Sequence, residues 1–317
     1  MTDQSAKICA IVNPRAGGWR RLHASEVGNS PQDAVLRWLT APGCYAPEQV
    51  RVHVLSGAGQ GAVLARTAIQ SGCQTIVAVG GDGTINDVLQ GILPVEGVKG
   101  DITTTLGLIP MGTANVLARI LGLPLHAPAH AARILCAGHT RLIDVGQAGT
   151  RRFALVAGVG FDGAATRAVN VKLKRRIGEL AYVLAALRLV MHYPRRAIEI
   201  VCDGGQAQTF DAYLVLVANG GQYGGGFRLG PSPRLDDGLL DVYVCLRRGL
   251  LSWSVLRHGI ALARDRFEGA AGVHHLRVKT IRISADADLP VQIDGDAAGS
   301  TPLFIEIAPG ALRVLVP

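Results

Sequence analysis

Aromatic side chains are scarce in this 317-residue chain, at 5%, and charged ones make up only 18%. With so few rings there is no organised aromatic and basic recognition motif, so no nucleic-acid partner is expected. Low charge beside 49% hydrophobic residues argues against global disorder and leaves material for a substantial core. A close cysteine framework is missing: the six cysteines, at 9, 44, 73, 136, 202 and 245, stand far apart and mostly in apolar stretches. They are predicted to be mainly reduced core residues of a cytosolic protein. Long apolar runs are missing too. The longest uncharged stretches, such as Ile102–Ala118 and Ala212–Phe227, are interrupted by Thr, Asn or several Gly residues, and the opening MTDQSAK enters a strand without a secretory apolar region. A cytoplasmic chain is expected, one that reaches a membrane substrate from the surface and contacts the inner membrane peripherally. No G-x-x-x-x-G-K-[ST] segment supplies a P-loop.

What the chain has in quantity is glycine, 40 residues, together with an excess of basic charge. Thirty-two Lys and Arg against 24 Asp and Glu give a net charge of +8. That sign suits nucleotide phosphates, nucleic acid or an anionic membrane, and charge alone does not choose among them. A chain of this length is expected to divide into two domains.

The stretch that organises the sequence is Thr75–Leu89. A strand-like run, Ile76 to Val79, enters Gly80-Gly81-Asp82-Gly83, and Thr84 opens an apolar-periodic segment through Ile85, Val88 and Leu89. Glycines let a ligand approach the backbone closely, and exposed N–H groups at a helix start favour phosphate. The turn lacks the G-x-G-x-x-G spacing of dinucleotide folds, so a different phosphate-binding architecture is implied. The plainer alternative is a tight turn in which Asp82 and Thr84 only cap a helix.

Two further turns follow the same plan. Lys7–Val12 reads as a strand that runs into Asn13-Pro14-Arg15-Ala16-Gly17-Gly18, where Arg15, Arg20 and Arg21 either face phosphate or lie in solvent. Gly107–Pro110 enters Met111-Gly112-Thr113-Ala114-Asn115 ahead of the apolar segment Val116–Leu121. In parallel α/β sheets such carboxyl-end turns converge on one ligand. Helices are predicted over Asp33–Leu39, Ala62–Gln70 and Ala129–Cys136, with a strand over Val50–Leu55. Asp87, inside the helix after the central turn, is either a supporting carboxylate or a solvated charge.

From Leu142 onward the pattern alternates, through Phe153–Val159, Ala197–Cys202, Tyr213–Val217, Leu240–Cys245, Leu276–Ile283 and Leu303–Ile307, as in a β-rich domain. Among these strands Leu173, Ile177, Leu180, Leu184, Leu187 and Met191 recur at helical spacing beside Lys172, Lys174, Arg175, Arg176 and Arg188. This is read as a packed amphipathic helix, or as a basic flank facing an anionic bilayer. Asp236-Asp237-Gly238 is an acidic turn that also has the makings of a magnesium site. Val291-Gln292-Ile293 aims a turn carrying Asp294, Gly295 and Asp296, in which Asp294 is placed to accept a hydroxyl proton in phosphoryl transfer. A simple hairpin turn is the alternative.

Taken in order, these segments resemble the diacylglycerol kinase catalytic-domain family of bacterial lipid kinases and sphingosine kinases. The resemblance runs from Asn13-Pro14 and Gly80–Thr84 through Gly112–Asn115, Asp144, Gly160-Phe161-Asp162, Asn219, Gly224–Gly226 and Leu235–Asp241 to Asp294-Gly295-Asp296, nearly the whole chain. It implies an α/β, two-domain NAD kinase/diacylglycerol kinase-like fold. The ATP-binding catalytic domain is expected at 1–138, a β-sandwich-like lipid-substrate and metal-site domain at 139–308, and a terminal segment, 309–317, returning to the first domain with a strand at Leu312–Val316. It further implies transfer of the γ-phosphoryl group of ATP, with Mg, to a lipid hydroxyl, diacylglycerol by default. Asn13, Arg15, Gly81, Asp82, Gly83, Thr84, Gly112, Thr113 and Asn115 fall on the nucleotide side. Asp294 matches the general base, and Asp82, Asp144 and Asp296 match a carboxylate network. A structural magnesium falls to the Asp237 side chain and the backbone oxygens of Arg234 and Leu239. The partner implied is a lipid presented at a membrane surface, and a homodimer is admitted.

Three positions depart from the family pattern: Asp296 and Asp87 stand where glutamate is usual, and Val116 where many relatives carry aspartate. A kinase of sphingoid or ceramide-like lipids, an NAD kinase, and a non-catalytic nucleotide-dependent lipid-binding regulator are the competing readings.

Overall fold

The computed structural model describes residues 7–93, 103–168, 189–190, 193–194, 196–247 and 249–317. The chain divides into two compact units: Met1–Ile143 with Gly310–Pro317, and Asp144–Pro309.

The first unit is built on strands β1 (Ile8–Val12), β2 (Val50–Val54), β3 (Thr75–Gly80) and β4 (Thr105–Pro110). They pair in parallel in the order β2, β1, β3, β4. Every residue of β1 and nearly every residue of β3 and β4 is buried, as parallel strands covered on both faces require. The covering helices are α1 (Ala24–Val27), α2 (Pro31–Leu39), α3 (Gln60–Gln70), α4 (Asp82–Ile92), α5 (Val116–Ile120) and α6 (Pro128–Ala137). Ile8, Ala10 and Val12 point into one core cluster with Val35, Trp38 and Leu39 of α2 and Ala132 and Leu135 of α6. The stacked rings of Trp19 and Trp38, 5.8 Å apart, close that cluster. Helices α3 and α4 pack against β1 and β3. Leu312, Val314 and Leu315, near the end of the chain, are buried here too, with Arg313 and Val314 paired in parallel to Thr105 and Leu106 of β4.

The second unit is antiparallel. Its elements are β5 (Thr140–Ala148, whose first residues belong to the first unit), β6 (Arg151–Phe153), β7 (Val156–Gly160), α7 (Phe161–Ala168), β8 (Ala197–Cys202), β9 (Gln208–Ala218), β10 (Gln222–Tyr223) and β11 (Phe227–Arg228). After them come β12 (Leu240–Leu246), α8 (Leu251–Ala263), β13 (Val273–Val278), β14 (Thr280–Ala285), β15 (Pro290–Ile293), β16 (Asp296–Ser300) and β17 (Leu303–Leu315). β9 serves two sheets. Its first residues pair with β8, which continues to β14 and the start of β17. Its later residues pair with β7 and β12, leading to β15 and β16 on one side and β13 on the other. Val215, Val217, Val242 and Val244 of the second sheet interlock with Ile198, Ile200, Ile281 and Ile283 of the first, the core of a β-sandwich.

Several expectations need correction. Cys44 and Cys136 are joined in a disulfide across 92 residues of sequence, made accessible because α2 and α6 pack together. Cys9, Cys73, Cys202 and Cys245 are free, the first two and the last of them buried. The run Phe153–Val159 is broken at Ala154 and Leu155, whose amides turn aside to meet Asp294. Leu276–Ile283 is two strands divided at Lys279. The amphipathic segment from Lys172 to Met191 falls almost wholly outside the described residues.

Candidate active-site residues

In the first unit three turns leave the carboxyl ends of adjacent parallel strands, as strand order β1, β3, β4 dictates. Asn13, one residue past β1, donates from Nδ2 to Thr84 Oγ1 at 3.0 Å, and its own Oδ1 accepts from the Arg15 amide at 3.0 Å. The first and second turns are thereby tied together. The second and third meet backbone to backbone: a Cβ built on Gly81 would lie 2.9 Å from the Gly112 Cα, closer than real side chains approach. Asn115, buried and left-handed at φ 50°, closes the third turn by accepting from the Gly112 amide at 2.8 Å and donating to its carbonyl at 3.0 Å. Gly83, Arg15 and Thr113 are exposed.

Asp82 opens α4 and reaches across to the start of α5, accepting from the Leu117 amide at 3.3 Å. Burial pushes its carboxyl above the usual aspartate value, while the amides of Leu117, Val116 and Asn115 pull the other way. Asp87 caps α3, accepting from the Gly61 amide at 2.8 Å and the Ala62 amide at 3.3 Å. Val116, in the position where many relatives carry a carboxylate, is buried.

In the second unit Asp294 sits at φ 47° in the turn between β15 and β16. Its carboxylate accepts from three successive amides, Ala154 at 3.0 Å, Leu155 at 3.1 Å and Val156 at 2.8 Å. That grip fixes the orientation of the carboxyl. The same segment is held from behind by Asn219, which is fully buried and donates to the carbonyls of Ala154 at 2.9 Å and Asp144 at 2.8 Å. Asn219 Oδ1 has no hydrogen-bond partner among the described residues, a buried acceptor beside this network. Asp144 in turn accepts from the Gly238 amide at 2.7 Å and donates its own amide to the Leu235 carbonyl at 2.6 Å. Asp144, Asn219, Asp294 and the Leu235–Gly238 turn are therefore one connected set. Asp296 is outside it: its side chain is 54% exposed and its nearest cation is Arg151 at 4.0 Å.

The Asp237 carboxylate accepts from the Leu239 amide at 3.1 Å and is ion-paired with Arg277, which also reaches Asp241 at 3.5 Å. Among the described residues no cluster of three or more His, Cys, Asp or Glu suited to a metal ion occurs, and the guanidinium of Arg277 occupies the Asp237 carboxylate. Arg234 pairs with Asp236 at 3.3 Å.

Sequence reasoning missed Gln292 and Tyr223. Gln292 donates to Asp162 at 2.7 Å and accepts from the Gly295 amide at 2.7 Å, bracing the Asp294 turn, and Tyr223 donates to the other Asp162 oxygen. Burial raises the Asp162 carboxyl, against the pull of the two donors. The available signal was a glutamine inside an otherwise apolar strand, VQI.

Glycine turns at the ends of a parallel sheet, followed by a β-sandwich that presents fixed aspartates, define a two-domain kinase of the diacylglycerol kinase/NAD kinase-like class. The Diacylglycerol kinase catalytic domain matches residues 7–148, and the YegS C-terminal NAD kinase beta sandwich-like domain matches 155–316. The chain belongs to this family of lipid kinases. It is 30% identical to a "Probable lipid kinase YegS-like" of Chromohalobacter salexigens over 86% of this chain and 85% of that one. It is also 30% identical to a "Diacylglycerol kinase" of Bacillus subtilis over 80% and 81%. A solved chain from Bacillus anthracis superposes with a TM-score of 0.79 at 26% identity, covering 98% of this chain and 95% of its own.

Proposed function

We propose that the chain transfers the γ-phosphoryl group of Mg·ATP to the hydroxyl of a lipid, with diacylglycerol as the acceptor and phosphatidic acid as the product. The observation that carries the nucleotide half is the Gly81–Gly112 contact. Two backbones meet there with no side chain between them, beside Gly83 and Thr113, leaving a surface of amides and small groups on which phosphate oxygens fit. Asn13, Thr84 and Asn115 hold that surface in shape, and the exposed Arg15 adds positive charge. The metal belongs to the substrate, carried on the phosphates, with Asp82 as the nearby carboxylate. The acceptor half rests on the family and on Asp294, whose fixed carboxylate takes the hydroxyl proton as the oxygen attacks phosphorus. Asp144 and Asn219 position the Ala154–Val156 amides that hold it.

The test is transfer from γ-labelled ATP in magnesium to a panel of diacylglycerol, sphingosine, ceramide and phosphatidylglycerol vesicles, with NAD as a soluble comparator. Labelled phosphatidic acid is expected. In Asp294→Asn its rate falls by about 10²-fold or more, the usual worth of a general base, while ATP binding is kept. Label on NAD, or full turnover by the Asn variant, sinks the assignment. A buried Val116 and an outlying Asp296 favour one rival, a chain that binds nucleotide and lipid without transfer. ATP and vesicle binding with no labelled product would select it.

A further inference from the structure

A surface helix normally turns its apolar stripe inward and its charges outward. α8 carries apolar residues on its outer side as well. Its inner face is buried against the core of the second unit, with Leu251, Val255 and Leu262 beside the buried polar Ser254 and His258. Its outer face carries Trp253, 65% exposed, with Leu256 and Ile260, and Leu250 at its N-terminal end is 66% exposed. At 100° per residue, positions 250, 253, 256, 257, 260 and 264 fall within an arc of about 120°. The apolar residues therefore share one stripe with Arg257 and Arg264, both exposed. Phe227 and Arg228, exposed on β11 where it packs against α8, extend the same mixture. Of the nine large hydrophobics that stand exposed among the described residues, five lie on this helix and strand or at the helix's cap. The clustering sets the patch apart from scattered surface apolars.

Charge selects what covers it. The helix carries no Asp or Glu, and the exposed Asp265 lies beyond its C-terminal end. No carboxylate pairs with Arg257 or Arg264 among the described residues. A second copy docked through this face about a two-fold axis would bring like charges together with nothing to neutralise them. An anionic bilayer offers both halves of the match: phosphates for the guanidinium groups, and an acyl boundary for the aliphatic residues, with the tryptophan ring at the interface. A shallow depression of about 350 Å³ between Trp253, Leu256, Arg257 and Ile260 gives a headgroup room to enter.

We infer that the outer face of α8, with Phe227 and Arg228, is the surface by which this chain docks onto bilayers containing anionic phospholipid. The inference rests on the proposed function in that the acceptor lies in such a bilayer, and its test does not depend on turnover. Trp19 and Trp38 are almost fully buried, so a change in tryptophan emission on adding vesicles reports Trp253. Phosphatidylglycerol-containing vesicles are expected to shift that emission to the blue and to sediment the protein, and phosphatidylcholine vesicles to do so weakly. Because each basic group at an anionic surface is worth about fivefold in partitioning, Arg257→Glu with Arg264→Glu lowers binding more than tenfold. Trp253→Ser lowers it as well. Both variants change exposed side chains, and unchanged circular dichroism verifies that they fold. Their turnover on a short-chain diacylglycerol dissolved below its micelle concentration stays at the parent rate, which separates docking from catalysis. Should that acceptor give no product with any form of the protein, the proposed function fails while the vesicle result still decides the surface. Vesicle binding equal to the parent's in both variants overturns the inference. So does a dimer in sedimentation equilibrium that Trp253→Ser dissociates, for then a second copy covers the face.

Discussion

A buried histidine and an exposed arginine show how single groups set the chemistry of the second unit. His258 accepts from the Tyr213 hydroxyl on Nδ1 at 2.8 Å and donates from Nε2 to the Ala271 carbonyl at 3.3 Å, so it is held as the neutral ring. Burial lowers its pKa below the usual 6.5, with Arg257 acting in the same direction against the Ala271 bond. A depressed folded value means that the unfolded chain binds the extra proton. The stability this residue contributes is therefore present above the unfolded pKa and is lost as pH falls through the range below it. Asp162 and Asp241, whose carboxyls burial raises, act oppositely, their contribution being full below about 3.8 and lost as pH rises through their raised folded values. The melting temperature is expected to fall between pH 7 and about 5 in the parent chain and to be flatter in His258→Phe. That variant also loses about 1 kcal/mol at neutral pH with the Tyr213 bond. Parallel slopes would remove His258 from the account. The second group is Arg277, on β13 opposite Asp241, where it pairs with Asp237 and reaches Asp241, which His275 also holds at 2.6 Å. Arg277→Met takes the cation from Asp237 while Asp241 keeps His275, and costs about 1 kcal/mol or less. It is expected to make the melting temperature respond more strongly to added magnesium than that of the parent chain. Calorimetry with magnesium and with chelator checks both halves.

At the scale of elements, α4 links its neighbours through two aspartates one and a half turns apart: Asp82 reaches the start of α5, and Asp87 caps α3. Their consequences differ. Asp87→Ala frees two amides at the start of α3 and costs about 1 kcal/mol of stability without altering ATP affinity. Gly112→Ala forces a methyl to 2.6 Å from Asn115 Oδ1 and against the Gly81 backbone, so the turns must part. An overpacking cost of about 1–3 kcal/mol follows, with ATP affinity down by roughly tenfold or more. Thermal melts and nucleotide titrations on the two variants separate a cap from a cradle, and equal ATP affinity in both would refute the assignment of the turns. Most strands and helices of this unit were legible in the sequence because their cues are local: apolar runs ending in Gly or Asn, then a 3.6-residue period. The Asp87 cap was not, because its partner lies 26 residues back. In the second unit α8 escaped notice, since its exposed apolar residues and its buried Ser254 and His258 blur the helical period. The break in Phe153–Val159 escaped as well, because what bends it is a carboxylate some 140 residues away.

At the scale of the whole molecule, the chain leaves the first unit near Ile143 and comes back to it at Gly310. The returning segment was foreseeable only through the family resemblance, for LRVLV reads as an ordinary strand with nothing local to say which sheet it joins. Its burial shows what it contributes there. Leu312, Val314 and Leu315 are at most 3% exposed, and Val316 donates to the His139 carbonyl at 3.0 Å. Without them β4 becomes an open edge. Removing one buried aliphatic side chain costs about 2–5 kcal/mol, and a whole domain has only about 5–15 to lose. Ending the chain at Pro309 is therefore expected to unfold the first unit at ambient temperature while the second keeps its own transition. The tryptophans distinguish the two, since Trp19 and Trp38 report the first unit and Trp253 the second. In the shortened chain the protected Trp19–Trp38 emission and nucleotide binding disappear together, while His258 and the sandwich still melt cooperatively. If the shortened chain keeps a buried Trp19–Trp38 pair and binds ATP, the first unit folds without its last strand.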